Sequence, residues 1–207
     1  MKFRDLLKPT SKEGAFWKWF MKNEAQLFYG SHYEEEDEEI FLELSKRLKA
    51  LDKNLVYAMS PIQHGDMKEF EVSADGLKES FPQVIKLMEV APSHPHWKFS
   101  AFRQPNEGDS LSIKMGDIDI GYDDIFIRYL EEGTELHVEL NIRSYEENGY
   151  FQNAVFILLD SLLGEYDVVM EIDVIDWEEL DENRLDEFYP FIYLREIIGK
   201  RKSKGKN

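Results

Sequence analysis

The sequence predicts an α+β fold: a mixed, mainly antiparallel sheet with helices packed largely on one face. Three observations point there. DIFIRYL (124–130) and ELHVELNIR (135–143) are strand-like runs on either side of Glu-Glu-Gly-Thr, a hairpin pattern. Residues 13–29, 35–52 and 149–163 instead repeat apolar side chains every three or four positions, the period of an amphipathic helix. The order hairpin, helix, strand occurs over 55–103 and again over 124–177, which allows two ββαβ units paired into one mixed sheet.

Taken in order, the first helix (13–29) carries Phe16, Phe20, Asn23 and Leu27 on one stripe and Trp17, Met21, Glu24 and Phe28 beside it, with Gly30 as a stop. Its large side chains cover more than one stripe of a surface helix needs. Phe16, Phe20 and Leu27 are therefore read as core, with Trp17 beside them and Trp19 at the edge of the packed face. An exposed Trp19 would mark a partner surface. The second helix (35–52) puts Ile40, Phe41, Leu44, Leu48 and Leu51 on one face. Its acidic start, EEEDEE (34–39), and late Lys46, Arg47 and Lys49 match the helix dipole.

LVYAM (55–59) and EFEVSA (69–74) read as a hairpin with a long loop containing Pro61, His64, Gly65 and Asp66. Pro82 suits the first position of the next helix, whose inner face is read as Val84, Ile85, Met88 and Ala91. WKFSAFR (97–103) and LSIKM (111–115) are strands. The helix at 149–163 turns Phe151, Ala154, Val155, Leu158 and Leu162 inward and ends at Gly164. YDVVMEIDVIDW (166–177) reads as a long strand, and a last helix runs from near Pro190 to Gly199. The expected organisation is one domain over 1–199 with a basic, disordered tail at 200–207.

Composition narrows the function classes. The chain has 207 residues, 43% hydrophobic and 32% charged, with a net charge of −17 and no cysteine. Each phosphate contact with a nucleic acid needs a cation, so such a charge opposes nucleic-acid binding. No apolar run approaches the ~20 residues of a membrane helix, and MKFRDLLKPTSKEG lacks the apolar core of a secretory signal. A cytoplasmic protein without membrane association is expected. The absence of cysteine removes disulfides, thiolate metal sites and thiol nucleophiles.

No catalytic motif emerges. GxSxG, GxGxxG, GxxxxGK[ST] and HExxH are all missing. DIDIGYDD (117–124) resembles a calcium loop, but its sixth and twelfth positions are Tyr122 and Arg128 rather than Gly and Glu, so a turn is expected. His94 and His96 in SHPHW would point the same way if extended, yet no third spaced ligand accompanies them. No metal site or cofactor is expected. The residues least unlike a cleft are Asp75, His94, His96 and Arg103.

Phe16-Trp17-Lys18-Trp19-Phe20, Val72-Ser73-Ala74-Asp75-Gly76, Phe81-Pro82, Ala91-Pro92, Trp97 and Ala101-Phe102-Arg103 together resemble a group of uncharacterised bacterial proteins. The group opens with a W-x-W-F helix and continues through an S-A-D-G turn, an F-P helix and a W-x-x-x-A-F-R strand. The resemblance covers roughly 13–105 and implies a bacterial cytosolic protein, with no activity, cofactor or catalytic residue attached. The leading expectation is a non-enzymatic protein-interaction module, immunity- or adaptor-like in general character, with another protein of basic character as partner. The alternative is a cleft enzyme acting on a small polar or cationic substrate through Asp75, His94, His96 and Arg103.

Overall fold

A computed structural model of the chain describes residues 11–30 and 37–204. The class is α+β, as read from the sequence, but the expected single sheet is three: strands β1-β2-β3, β4-β5 and β8-β7-β6-β9, in that spatial order. The chain, read as one domain over 1–199, falls into two compact units by its contacts, Met1–Phe102 and Arg103–Asn207. Each unit closes its own apolar core around one hairpin and the strand that follows it. Among the described residues no helix is long and apolar enough to cross a membrane.

The first unit contains α1 (Lys12–Lys22), α2 (Glu24–Tyr29), α3 (Glu38–Leu51), β1 (Val56–Met59), β2 (Lys68–Ser73), α4 (Phe81–Glu89) and β3 (Trp97–Ala101). Strand β2 is central, antiparallel to β1 and parallel to β3. Ser11 caps α1 by accepting from the Gly14 amide. The expected helix over 13–29 is broken at Asn23. Its Nδ2 donates to the Trp19 carbonyl at 2.7 Å and its own amide turns to the Trp19 and Phe20 carbonyls, which ends α1. Phe16, Trp17, Phe20 and Leu27 are all buried, as read. The Phe20 ring lies 4.9 Å from Phe70, 5.1 Å from Trp97 and 5.6 Å from Phe99, so α1 covers one face of the sheet. Aromatic pairs of this kind are worth ~0.5–1.5 kcal/mol beyond area burial. Trp17 Nε1 ties α1 to α4 by donating to the Leu87 carbonyl at 2.7 Å. The opposite face carries Glu69, Lys98 and Ser100, joined by an ion pair and a hydrogen bond to Glu69.

Two details of this unit differ from the reading. The buried stripe of α4 is Phe81, Val84 and Leu87, while Ile85 is exposed; the helix starts at Phe81, ahead of Pro82, and that sets its packed face. The acidic start of α3 is described only from its last residues, with Glu38 and Glu39 in the first turn. Positions 34–36 of that run lie outside the described residues.

The second unit contains β4 (Ser112–Met115), β5 (Ile118–Gly121), β6 (Ile125–Glu132), β7 (Glu135–Ile142), α5 (Gly149–Leu163), α6 (Glu165–Glu171), β8 (Val174–Glu179), β9 (Tyr189–Pro190) and α7 (Leu194–Lys204). The β6–β7 hairpin is in the expected place, with Glu132 opposite Glu135. Gly133, at φ +62°, supplies the left-handed turn residue that a two-residue loop demands. Helix α5 buries every side chain assigned to its inner face. The calcium-like stretch is in part the strand β5, paired with β4.

The long strand read over 166–177 splits. Its first half is α6 and only its second half enters β8. Gly164, at φ +85°, reverses the chain, and the Glu165 amide donates to the Arg103 carbonyl while its carboxylate accepts from the Arg103 amide. Val168 then buries itself from a helical position, with Ile172 buried just past the helix end, so tertiary packing overrides the β-propensity of Val168-Val169. The basic tail is also ordered as far as Lys204. Lys200 pairs with Glu196, Lys202 with Asp167 and Lys204 with Glu131, and these cations sit at a helix C-terminus, where the dipole favours them. Residues 205–207 lie outside the described part.

The order hairpin, helix, strand holds in the first unit, and the second has two helices, α5 and α6, before its last parallel strand. In each unit, the second strand of a hairpin is flanked by its antiparallel partner and, on the other side, by a parallel strand reached through a helical connection. The parallel pairing ends alike: Phe102 N donates to Val72 O, and Leu180 N to Ile142 O, with Phe102 and Leu180 both buried. The units form separate sheets rather than one.

Candidate functional site

Of the residues read as a cleft, the three in the first unit, Asp75, His94 and His96, are not gathered in one place. In the first unit β2 and β3 run parallel, with Lys68 opposite Trp97 at one end and Val72 opposite Ala101 at the other. His94 and His96 precede β3 at the first end. Asp75 follows β2 at the second, in a left-handed turn at φ +54°. Four residue steps of strand, ~13 Å, separate the two ends of the paired stretch. Arg103 belongs to the second unit, where its guanidinium meets the Asp160 carboxylate at 3.1 Å and its amide meets Glu165. It acts there as a fastener of α5 and α6. Trp19 is not a free surface either. It is half-buried, with the Arg47 guanidinium carbon 4.8 Å from its ring centroid, and Arg47 in turn pairs with Glu43 at 2.7 Å.

The structure does gather part of the predicted set. His94 and His96 line a cavity of about 330 Å³ together with Glu24, Phe28 and Tyr29 of α2 and with Ile62 and Asp66 of the β1–β2 loop. Three segments build it, and hydrogen bonds hold each in place. The β1–β2 loop is closed by Gln63 N donating to Met67 O at 2.7 Å, and the α4–β3 loop is stitched to β2 by Lys68 N donating to His96 O. Trp97 Nε1 donates to Glu24 Oε1 at 3.0 Å, which fixes the start of α2 over β3.

These bonds also settle the histidine tautomers. His94 Nδ1 accepts from the His96 amide at 3.2 Å, so a neutral His94 carries its proton on Nε2. His96 Nδ1 lies 3.1 Å from the Asp66 carbonyl, which can only accept. The Nδ1 of His96 therefore donates, and in the neutral ring Nε2 is the nitrogen left to accept. Phe28 stands edge-on to His96 at 6.2 Å and to Tyr29 at 5.1 Å. Tyr29 is 79% exposed at the rim.

Beneath the cavity, Lys68 is buried and its ammonium donates to the Leu27 and Phe28 carbonyls at 3.0 and 2.9 Å, capping the open end of α2. Burial holds this ammonium below the ordinary lysine pKa, and Asp37 opposes that shift. Among the described residues no group of three or more His, Asp or Glu is placed to hold a metal ion.

Two other concavities are structural in character. One, about 400 Å³, lies between α3 and β1 against Phe41, Leu42, Leu55 and Tyr57. The other, about 580 Å³ in the second unit, has Arg195 and Lys202 on its wall. Arg195 is committed to the carbonyls of Leu162, Asn106 and Gly108 and to Asp109, and Lys202 to Asp167.

Sequence reasoning found the two histidines but missed Glu24, Phe28, Tyr29, Ile62 and Asp66. The available signal was the adjacent ring pair Phe28-Tyr29 just before the helix stop at Gly30, with Asp66 in the His64-Gly65-Asp66 turn. Comparison of the chain with protein-family models, with curated proteins and with solved structures returned no match.

Proposed function

We propose that this chain is a non-enzymatic cytosolic protein-interaction module whose partner is a basic protein. The uneven distribution of charge carries this reading. Residues 103–207 hold 25 acidic and 11 basic side chains, a balance of −14, which leaves −3 of the total −17 for residues 1–102. Much of the excess lies on one outer strand and on the segment that leads from it to β9 at the other side of the sheet. Strand β8 is the outer strand of the four-stranded sheet, and it leads into an exposed turn. Asp176, Glu178, Glu179, Asp181, Glu182, Asp186 and Glu187 are all exposed there, with Glu182 paired to Arg143 and Glu187 to Arg184 and Arg128. A charged edge guards a sheet against self-pairing. The same potential steers a cationic partner and rejects anionic ones.

The test uses the full chain at two salt concentrations. Proteins captured on it are identified and purified, then titrated calorimetrically against the wild type and against an Asp176→Asn, Glu178→Gln, Glu179→Gln variant. The expected partner is basic, and its affinity falls about tenfold or more both in the variant and on raising salt from about 50 to 300 mM, as the Debye length shortens. A chain that captures nothing, or a partner indifferent to salt and to the variant, overturns the proposal.

A further inference from the structure

We propose that the cavity beside His94 and His96 binds the ammonium group of an organic cation, either a free amine or quaternary ammonium or the side chain of a lysine. The inference rests on other residues than the acidic β8 edge and stands independently of it. Two features of the cavity combine to favour such a guest. Its wall is ringed: Phe28, Tyr29, His94 and His96 all border a space of about 330 Å³, and aromatic faces attract cations through their quadrupole. Its lining is acidic: it includes Glu24 and Asp66, and among the described lining residues there is no lysine or arginine.

The hydrogen bonds add direction. With His96 Nδ1 donating to the Asp66 carbonyl, Nε2 of the neutral ring can accept an N–H from a primary-amine guest. Glu24 Oε1 is engaged by Trp97 Nε1, which fixes that carboxylate in place. The first unit already uses the same chemistry internally, since Lys68 Nζ rests on backbone carbonyls with the Trp97 ring centroid 5.9 Å away. Tyr29 lines the cavity while 79% exposed, so its ring is accessible to a guest.

The full chain is titrated with choline, with N-acetyl-lysine methylamide and its trimethylated form, and with 3,3-dimethylbutanol as the uncharged isostere of choline. Binding is read by the ring-proton NMR signals of His94 and His96 and by calorimetry. Saturable shifts with a Kd of about 1 mM or tighter are expected for at least one cation, with the isostere at least about fivefold weaker. Tyr29→Ala and Asp66→Asn, both at exposed positions that keep the fold, each weaken binding about three- to tenfold. A lysine derivative that outcompetes choline identifies a polypeptide side chain as the source, and the reverse order identifies a free cation. No saturation up to about 50 mM by any cation, equal binding of the isostere, or unchanged affinity in both variants overturns the proposal.

Discussion

Lys68 offers the sharpest test of how the first unit is held together. Replacing it with Met keeps most of the aliphatic stem and removes the ammonium that caps α2. The Leu27 and Phe28 carbonyls, now bonded at 3.0 and 2.9 Å, lose that donor. Each buried acceptor left without a partner costs ~1–3 kcal/mol, and release of the desolvated charge offsets part of it. The expected net loss at pH 7 is ~2 kcal/mol, or a fall of ~10 °C in the transition of a unit of this size.

The pH dependence distinguishes this account from simple loss of packing. Burial lowers the Lys68 pKa in the folded chain, so between that value and the ordinary ~10.4 the unfolded chain binds more protons. Stability contributed by this group therefore rises with pH across that window. The gap between the wild type and Lys68→Met should widen from pH 7 to about pH 10.5. Urea unfolding followed by the fluorescence of the buried Trp17 and Trp97, in a Trp177→Phe background, reads it out. A gap that stays constant or narrows, or a loss below ~0.5 kcal/mol at pH 7, refutes the reasoning.

Two further substitutions probe the second unit. The Tyr122 hydroxyl is buried with no hydrogen-bond partner among the described residues, and burial raises its pKa, with Arg195 opposing. A raised folded pKa means stability is present below the ordinary value and lost as pH climbs through the folded one. Tyr122→Phe should thus be neutral or stabilising by up to ~1 kcal/mol at pH 7 and should flatten the alkaline decline; thermal unfolding at pH 7 and pH 11 checks it, and a loss above ~1 kcal/mol contradicts it. Arg103→Ala removes the cation that meets the largely buried Asp160 and should cost ~1–2 kcal/mol in urea unfolding, since a partly exposed charged pair is worth less than a buried one. An unchanged midpoint would free Arg103 for a binding role.

Local pattern made much of the first unit legible. The stripe Phe16, Phe20 and Leu27, and Trp17 beside it, were readable because helical spacing brings these positions to one side whatever they pack against. The hairpin around Gly133 was legible because only a few turn types join strands so closely. The break at Asn23 was not, since it depends on one amide choosing the Trp19 carbonyl over solvent. The cavity at His94 and His96 was half legible. Its histidines sit in one pentapeptide, but Glu24, Phe28 and Asp66 come from segments 28 to 72 residues away from them, and no local period links such positions.

By itself the sequence determined the α+β class, the inward faces of α1, α3 and α5, the ββαβ order of the first half and the acidity of the chain. These follow from side-chain period, turn chemistry and composition, which are properties of short windows. Tertiary structure alone decided that the two halves build separate sheets, that 166–171 is helix rather than strand, and that Asp75 and His96 stand at opposite ends of β2 and β3. Those outcomes depend on which distant surfaces bury one another. Burial energy accumulates over the whole contact, so it can override the small preferences of any single stretch.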